Sequence, residues 1–263
     1  MDAAELKSLS RDGFVLLAGV FARAEVDDLA ADLDRTLEQR AEAAGSILTR
    51  SRRVYAARNL LTVWPRALQL TANVRVAAAL DTILGPRWGL VRGLLFDKPP
   101  EQSWSLPWHQ DLTIAVAQHR DPPGEFSKPT LKAGVAHVEA SREVLERMVT
   151  ARIHLDDVTL ENGPLRVLPG SHAHGKSLAF DEVGTADGPR PHTVLARAGD
   201  VLLMRPLLAH SSIAAEGGTH RHRRILHLEF ADSESLPNDY RWHTFARCPR
   251  GQQTIPGVSS TLS

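Results

Sequence analysis

The chain has 263 residues, of which 43% are hydrophobic, and its 31 basic and 31 acidic side chains give a formal net charge of zero. A chain of this length can bury a large core as one domain or at most two. Its neutral balance gives no electrostatic reason to expect nucleic acid or a membrane surface as a partner. The single cysteine, Cys248, excludes a disulfide framework and a zinc site built from cysteines. Because we find neither a signal peptide nor an apolar run long enough to span a bilayer, we expect a soluble, cytoplasmic protein of undetermined oligomeric state.

The first third of the sequence predicts mainly helices. "AELKSLSRDG" is typical of a short helix that ends at Gly13, and "FVLLAGVF" is typical of a strand. "ARAEVDDLAADLDRTLEQRAEAAG" carries apolar residues at helical spacing and predicts a long helix ending at Gly45. "VRVAAALDTILG" predicts another amphipathic helix that closes at Gly85. We therefore interpret residues 1–87 as a mainly helical support.

From Trp88 onward the pattern changes to short apolar runs separated by turn residues. The runs are "WGLVRGLLFDK", "WSLPWHQDLTIAV", "MVTARIHLDDV", "PLRVLPGSH", "HTVLARAG", "DVLLMRPLLAHSS" and "RRILHLEFA". Many short strands with glycine and proline turns indicate a sandwich or a barrel. We expect a single domain over 1–263, with its β core at 88–231 and a C-terminal tail at 232–263. The long polar segment 117–147 interrupts the core, and connections of that length are usually functional lids or disordered.

A candidate metal site begins in "LPWHQDLTI". On one continuous strand, His109 and Asp111 point to the same face, and a buried imidazole beside a carboxylate is costly unless something pairs them. The same spacing recurs elsewhere, as in His137/Glu139, His154/Asp156 and His227/Glu229, so the spacing alone is weak support. A non-haem iron site needs two histidines, one carboxylate and open positions. Its third ligand must come from a strand that is distant in sequence and adjacent in space.

His210 suits that third position, because it ends the apolar run "GDVLLMRPLLAH". The next run, "HRHRRILHLEFA", places cations before an apolar strand. A dicarboxylic 2-oxo acid that chelates iron needs a buried cation for its far carboxylate, and arginine supplies a two-pronged donor. Taken singly, His210 would be a strand end and the arginines a surface patch. In this order and together, they favour the iron site.

The segments "FDKPP", "PWHQD", "ENGPLRVLPGSH", "AGDVLLMRPLLAHSS" and "RRILHLEFA" resemble the phytanoyl-CoA dioxygenase family of Fe(II)/2-oxoglutarate-dependent oxygenases. The resemblance runs from about Trp88 to Ala231, and more loosely from "DGFVLLAGVF". It implies a mainly β fold, the double-stranded β-helix, which is a jelly-roll or cupin-like barrel with flanking helices. It also implies an enzyme that uses Fe(II), 2-oxoglutarate and O2, and that couples oxidation of a small organic substrate to formation of succinate and CO2.

The resemblance assigns roles to individual residues. The implied iron ligands, which form the catalytic centre, are His109, Asp111 and His210. The implied contacts to 2-oxoglutarate are Arg223, Ser212 and Gln110. The spacing between His210 and Arg223 is longer than in the family, so Arg221 competes with Arg223 for the far carboxylate. Arg224 is a weaker rival because strand alternation turns it to the opposite face.

Two further positions concern the walls of the pocket. Arg152 stands where some family members place an aromatic side chain beside the cosubstrate, so it is a candidate for a second cation. His154 lies two residues further on the same face. It is predicted either to line the substrate pocket, as we also expect for Trp108, or to be a core histidine paired with Asp156.

The implied reaction is hydroxylation, because family members that halogenate carry a small residue in place of Asp111. Desaturation, ring formation and rearrangement are variants that depend on how the substrate is held. No coenzyme A site can be recognised, so a small metabolite or amino-acid-like compound is preferred to an acyl-CoA. We expect the segments 117–147 and 51–60 to contact the substrate and close over it. Two alternatives remain: a cupin-like metal-dependent isomerase or dioxygenase that does not use 2-oxoglutarate, and a non-catalytic jelly-roll binding module.

Overall fold

The computed structural model describes residues 1–40, 47–50, 53–99, 104–176, 180, 183–185, 188–217 and 219–248. The predicted helix end at Gly45, the start of the segment 51–60 and the last residues of the tail 232–263 lie outside these ranges. Among the described residues, no helix is both long enough and apolar enough to cross a bilayer.

The helices lie before the β core in the sequence or between its strands. They are α1 (Ala3–Asp12), α2 (Arg23–Arg40), α3 (Leu60–Val63), α4 (Val74–Leu84) and α5 (Arg142–Glu146), with short 3-10 helices at Pro65–Ala72 and Ser171–His174. A capping box begins α1, since the Asp2 side chain accepts from the Glu5 amide and the Glu5 side chain accepts from the Asp2 amide. Gly13 ends that helix at a φ of 84°, a left-handed conformation that glycine adopts without strain, and this end was predicted.

The strands form three antiparallel sheets. They are β1 (Phe14–Leu17), β2 (Ile47–Arg50), β3 (Arg53–Ala57), β4 (Gly89–Lys98), β5 (Leu106–His109), β6 (Thr113–Val116), β7 (Ser127–Lys132), β8 (Val135–Glu139), β9 (Met148–His154), β10 (Leu165–Val167), β11 (His192–Val194), β12 (Val201–Met204), β13 (His210–Ser212) and β14 (Arg223–Ala231). The seven-stranded main sheet has the order β1-β12-β9-β14-β4-β3-β2. The four-stranded sheet has the order β11-β10-β13-β5, and the three-stranded sheet has the order β6-β8-β7.

The two faces of the main sheet differ in chemistry. Its outer face packs against the helices, and on β14 this face carries Leu226 and Leu228 in the same apolar cluster as Leu33 of α2. The alternate positions of β14, which include Arg223 and His227, face inward and are buried. Strand alternation therefore separates an apolar layer under the helices from a polar interior.

The four-stranded sheet covers part of that interior. Leu165 and Val167 of β10 are in one buried cluster with Leu202 and Met204 of β12, so apolar side chains join the two sheets at this end. The three-stranded sheet lies next to them, because β6 begins just after β5 ends.

Two runs that we predicted as single strands are each divided between two sheets. "WSLPWHQDLTIAV" forms β5 and β6, and Asp111 lies between them because its amide donates to the Pro206 carbonyl at 3.0 Å. "DVLLMRPLLAHSS" forms β12 in the main sheet and β13 in the four-stranded sheet. The chain crosses between these sheets at residues 205–209, where Pro206 cannot donate to a strand ladder.

The N-terminal third and the segment 117–147 contain more strand than predicted. β1 and the pair β2–β3 extend the two edges of the main sheet, so residues 1–87 are not only helical support. The segment 117–147 is not a structureless interruption, since it forms β7, β8 and α5. The strand β7 is exposed and polar, as an edge strand often is, and therefore shows no apolar alternation in the sequence. The division into one domain over 1–263 stays a prediction.

Candidate metal centre

Three predicted ligands converge where the four-stranded and three-stranded sheets meet. His109 ends β5 and lies directly opposite His210, which begins the antiparallel strand β13. Asp111 follows two residues after His109, and its Oδ2 lies 3.7 Å from Nε2 of His210. One donor atom from each of the three residues can be chosen so that all lie within 4.8 Å of one another. The structure therefore brings the predicted iron ligands together, although no single strand carries both His109 and Asp111.

Backbone carbonyls orient both imidazole rings. Nδ1 of His109 lies 2.8 Å from the Pro107 carbonyl, and Nδ1 of His210 lies 2.9 Å from the Leu208 carbonyl. A carbonyl oxygen only accepts, so we assign the ring proton to Nδ1 in both residues. The lone pair of Nε2 is then free to bind a metal ion, which is the usual arrangement of a metal-binding histidine.

The protonation states also suit a metal ion. Burial lowers the pKa of His210 to about 4, so its ring is neutral near neutral pH. Burial by itself would raise the pKa of Asp111, but the nearby histidine rings and Arg152 lower it to about 2. Oδ2 of Asp111 is buried and accepts no hydrogen bond in the part of the chain that the structure describes. Two imidazoles and one ionised, unsatisfied carboxylate are the donor set that non-haem Fe(II) prefers, so these residues fit the predicted metal.

A cavity adjoins the three ligands. Its other polar lining residues are Lys98, Arg152, Ser211, Ser212, Arg223 and His227, and its apolar lining residues are Phe96, Trp104, Leu106 and Leu165. The predicted residues Ser212, Arg152 and Arg223 are thus at the site. Lys98, Ser211 and His227 are cavity residues to which we assigned no role from the sequence.

Lys98 and Arg223 form a cationic end of this cavity. They are direct partners in the register of β4 and β14, and both are buried. Nζ of Lys98 donates to Oγ of Ser212 and to the Ile213 carbonyl, each at 2.9 Å. Burial, followed by the charges of Arg223 and Arg152, lowers the pKa of Lys98 to about 7. Nε of Arg223 has no hydrogen-bond partner among the described residues, so this end is suited to an anionic ligand.

Arg152 and His227 form a second layer beside the ligands. Nη1 of Arg152 donates to Nδ1 of His227 at 3.0 Å, which assigns the ring proton of His227 to Nε2. That Nε2 lies 3.4 Å from Oε1 of Glu229 and 3.9 Å from Oδ2 of Asp111. Glu229 in turn pairs with Arg92 at 3.1 Å. His227 is therefore in position to orient the Asp111 carboxylate.

The structure does not bring every predicted contact to the cavity. The Gln110 amide nitrogen donates to the Gly175 and Leu207 carbonyls, each at 2.7 Å, so it braces the backbone instead of facing the cavity. The ring of Trp108 lies 5.4 Å from the guanidinium of Arg166 and is not among the lining residues.

His154 and Arg221 also lie elsewhere. His154 is buried on β9, and its Nδ1 donates to the Asp200 carbonyl at 3.1 Å, so it is a core histidine. The alternative pairing of His154 with Asp156 does not form, because Asp156 binds Arg224 at 2.8 Å. The side chain of Arg221 is 55% exposed and faces Glu161 at 3.4 Å. The geometry therefore favours Arg223 over Arg221 as the cation for a cosubstrate.

Pairing across strands was needed to reveal Lys98, whereas His227 had a signal in the sequence. The motif "FDKPP" contains Lys98, but nothing in that motif indicates burial of the ammonium group. Its register opposite Arg223 becomes known only when β4 and β14 are aligned. His227 lies two strand repeats from Arg223, so alternation places both on one face, which is a signal that the sequence did contain.

Comparisons with known proteins bear on the family and the fold. The family model described as phytanoyl-CoA dioxygenase (PhyH) matches residues 9–223. The structure of EctD from S. alaskensis with bound Fe is 22% identical, covers 88% of this chain and 76% of that chain, and has a TM-score of 0.66. AviO1 from Streptomyces viridochromogenes Tue57 is 21% identical, with coverage of 89% and 96% and a TM-score of 0.61. No curated protein matches the chain in sequence.

A third solved structure, the non-heme alpha ketoglutarate dependent epimerase SnoN from nogalamycin biosynthesis, is 20% identical. It covers 90% of this chain and 89% of that chain, with a TM-score of 0.61. At these identities the likeness establishes the fold. The prediction of a mainly β double-stranded β-helix with flanking helices is confirmed.

Proposed function

Because the chain belongs to the phytanoyl-CoA dioxygenase family of Fe(II)- and 2-oxoglutarate-dependent oxygenases, we propose that it hydroxylates a small organic substrate at an iron held by His109, Asp111 and His210. The chain is accordingly an oxidoreductase whose cofactors are Fe(II) and 2-oxoglutarate, with O2 as the oxidant. The observation that carries the site assignment is the convergence of three donor atoms within 4.8 Å beside a cavity with a cationic end.

His109, Asp111 and His210 would hold the metal ion and would leave it able to bind further ligands. When bound there, iron supplies O2 activation coupled to decarboxylation of 2-oxoglutarate to succinate and CO2. The protein residues orient the reactants: Arg223 and Lys98 are proposed to hold the far carboxylate of 2-oxoglutarate, and the Ser212 hydroxyl, which already accepts from Lys98, adds a contact. Arg152 supplies a further positive charge in the same cavity.

Asp111 is proposed to determine the outcome of the reaction. A carboxylate at this position occupies the site on the metal that a chloride ion would need, so hydroxylation is expected and halogenation is not. The position of His227 supports this role, because its Nε2 lies 3.9 Å from Oδ2 of Asp111, near enough to influence how the carboxylate is oriented. Desaturation, ring formation and rearrangement remain variants of the same chemistry, selected by how the substrate is held.

The names of the structural neighbours support a small-molecule substrate. EctD has been crystallised with 2-oxoglutarate and 5-hydroxyectoine, and SnoN with Fe3+, alpha ketoglutarate and nogalamycin RO. By this analogy we propose a small metabolite as substrate and a role in secondary metabolism for this chain, and a cytoplasmic location stays a prediction. The cupin alternative without 2-oxoglutarate would leave the buried pair of Lys98 and Arg223 without a ligand, so we prefer the oxygenase.

A mass-spectrometric assay tests the proposal. The protein is supplied with Fe(II), 2-oxoglutarate and isotopically labelled O2, with chloride present, across a panel of small acids, amino acids and polyketide- or terpene-like compounds. Succinate containing one labelled oxygen is expected even without the true substrate, and the correct substrate should accelerate its release and gain one oxygen or lose two hydrogens. No succinate with iron verified as bound would favour the cupin reading of the fold. A chlorinated product would contradict the assignment of Asp111.

A further inference from the structure

A second group of cations lies on the other side of the proposed iron ligands. Arg92 of β4 is on the same face as Lys98, because six residues of an unbulged strand separate them, a distance of roughly 20 Å. Arg92 lies directly opposite Glu229 in the register of β4 and β14. His227, which faces Asp111, lies on β14 between Arg223 and Glu229. The interior of the main sheet thus carries cations on both sides of the ligands.

A series of side-chain contacts of 3.1 to 3.9 Å connects this second group of cations to the proposed iron ligand Asp111. Nη1 of Arg92 donates to the Thr113 carbonyl at 3.4 Å, and Nζ of Lys132 donates to the Thr113 hydroxyl at 3.3 Å. Thr113 begins β6, two residues after Asp111. The contacts run in order from Asp111 to His227, Glu229, Arg92, Thr113 and Lys132. Lys132 is therefore linked to Asp111 through these intervening residues.

Arg58 approaches the same place from the segment that follows β3. Nδ2 of Asn59 donates to the Ala133 carbonyl at 3.3 Å, so the residue after Arg58 is bonded to the residue after Lys132. Burial and then the charges of Arg92 and Arg58 lower the pKa of Lys132, while the charges of Glu229 and Asp111 oppose that shift. Lys132 is therefore close enough to these four charged side chains to interact with each of them electrostatically.

Positive charges near Lys132 outnumber the carboxylates that pair with them. Arg92 is neutralised by Glu229 at 3.1 Å, with side chains only 14% and 7% exposed. Neither Lys132 nor Arg58 has a carboxylate within ion-pair distance in the ranges that the structure covers. By contrast, Lys128 of the same strand β7 pairs with Glu139 at 2.7 Å. A partly buried cation that no carboxylate neutralises costs free energy, and an anion placed beside it would recover part of that cost.

We infer that Arg58 and Lys132, which together with the Glu229-paired Arg92 we call the substrate-side cluster, bind a carboxylate of the primary substrate. Lys98 and Arg223 would hold 2-oxoglutarate on one side of the ligands, and the substrate-side cluster would hold a second, different acid on the other. The inference rests on the proposed function, because the cluster is defined by its position relative to the proposed iron ligands. It predicts that the substrate is an organic acid and that its neutral amide is a poor replacement.

The test measures binding without turnover. Full-length protein with Fe(II) and saturating 2-oxoglutarate is titrated in the absence of O2, by calorimetry and by thermal shift, with aliphatic, aromatic and amino-substituted carboxylic acids and with the primary amide of each. At least one acid should bind roughly tenfold more tightly than its amide. Lys132→Gln and Arg58→Gln should each weaken binding of that acid by roughly tenfold while leaving binding of 2-oxoglutarate unchanged. Lys128→Gln, on the same strand, is the matched control and should bind the acid as the native protein does.

The outcomes separate this inference from the proposed function. The inference is overturned if no acid in the panel binds more tightly than its amide, including the case in which nothing binds. It is also overturned if Lys132→Gln and Arg58→Gln both retain the native affinity for the preferred acid. Retention of the acid preference together with absence of succinate in the labelled-oxygen assay would support the cluster and contradict the oxygenase. Succinate formation without any acid preference would do the reverse.

Discussion

Lys98 and Arg223 lie directly opposite each other on β4 and β14, at 2% and 3% exposure. Neither forms an ion pair with a carboxylate among the residues that the structure describes. Two neighbouring buried cations repel each other, and each is also penalised by the loss of water. The folded protein therefore contains a local destabilisation that a dianionic ligand relieves, and this relief is a physical source of affinity for 2-oxoglutarate.

Replacing Arg223 should selectively weaken binding of the cosubstrate. We expect Arg223→Gln to raise the Kd for 2-oxoglutarate by roughly 100-fold, because a buried carboxylate would lose its two-pronged partner. Calorimetric titration without O2 measures this, and bound iron should be unchanged. Arg221→Gln is the control, since that side chain is exposed beside Glu161. A large effect of Arg221→Gln with none for Arg223→Gln would reverse the assignment.

Binding of 2-oxoglutarate should be accompanied by proton uptake at Lys98. The pKa of Lys98 is about 7, so part of the population is neutral at and above that pH. A carboxylate arriving beside the amine favours the charged form and raises that pKa. Titrations in buffers of different ionisation enthalpy should show uptake of a fraction of a proton, which Lys98→Met abolishes. Equal proton uptake by Lys98→Met would exclude Lys98 as its source.

The same residue should make stability depend on pH. Since burial lowers the pKa of Lys98 from 10.5 to about 7, the folded state binds fewer protons than the unfolded state between these values. The stability contribution from Lys98 therefore rises with pH across this window, and the penalty is fully present below pH 7. We expect Lys98→Met to be stabilised relative to the native protein most at low pH. Urea unfolding at about pH 6 and about pH 9 tests this, and a difference that is equal at both would contradict it.

Loss of any proposed ligand should remove the metal. His109→Ala, Asp111→Ala and His210→Ala should each lower bound iron to background and abolish succinate formation, because two remaining donors hold Fe(II) weakly. His174→Ala provides the control, since that histidine is exposed outside the cavity. Circular dichroism should show an unchanged fold in all four variants. Iron content at the native level in His210→Ala would require another third ligand.

His227 should act on the metal through Asp111. We expect His227→Gln to weaken iron binding by about 10- to 100-fold, the usual effect of removing a group that orients a ligand. His154→Gln is a matched control, because His154 is equally buried on the neighbouring strand but bonds to the Asp200 carbonyl. Both variants should lose thermal stability, but only His227→Gln should lose iron affinity. Similar iron affinities in the two variants would make the role of His227 purely structural.

Side-chain orientations that follow from the alternation of a strand could be predicted from the sequence. The run "RRILHLEFA" predicts one continuous strand, and β14 spans Arg223–Ala231. Its period of two sets Arg223 inward and Arg224 outward, and the structure agrees, since Arg224 bonds to Asp156 and Asp34. The motifs that contain the three predicted ligands are each local in the chain, and the structure brings His109, Asp111 and His210 together.

The parts that depend on pairing between distant strands could not be predicted. Lys98 acquires its environment through register, opposite Arg223, and Lys132 acquires its environment through a side-chain hydrogen bond to Thr113 of another strand. The sequence between β12 and β13 is also largely apolar, so it gave no sign that the chain passes from one sheet to another there. Leu207 and Leu208 in that crossing are buried, so the sequence there remains as apolar as a strand although the chain is changing sheets.

The contacts that join the two ligand-bearing segments are made entirely by protein atoms. The backbone amide of Asp111 donates to the Pro206 carbonyl, and the side-chain amide of Gln110 donates to the Leu207 carbonyl, so protein contacts set the spacing of the donors. Such a site fixes the positions of the donor atoms but discriminates little between divalent metals. Affinities of divalent metals follow the Irving–Williams order, in which copper and zinc bind more tightly than iron. The metal found in the purified protein should therefore follow the supply of metals in the cell that makes it. Mismetallation with zinc would be the characteristic way for this enzyme to be inactive while fully folded.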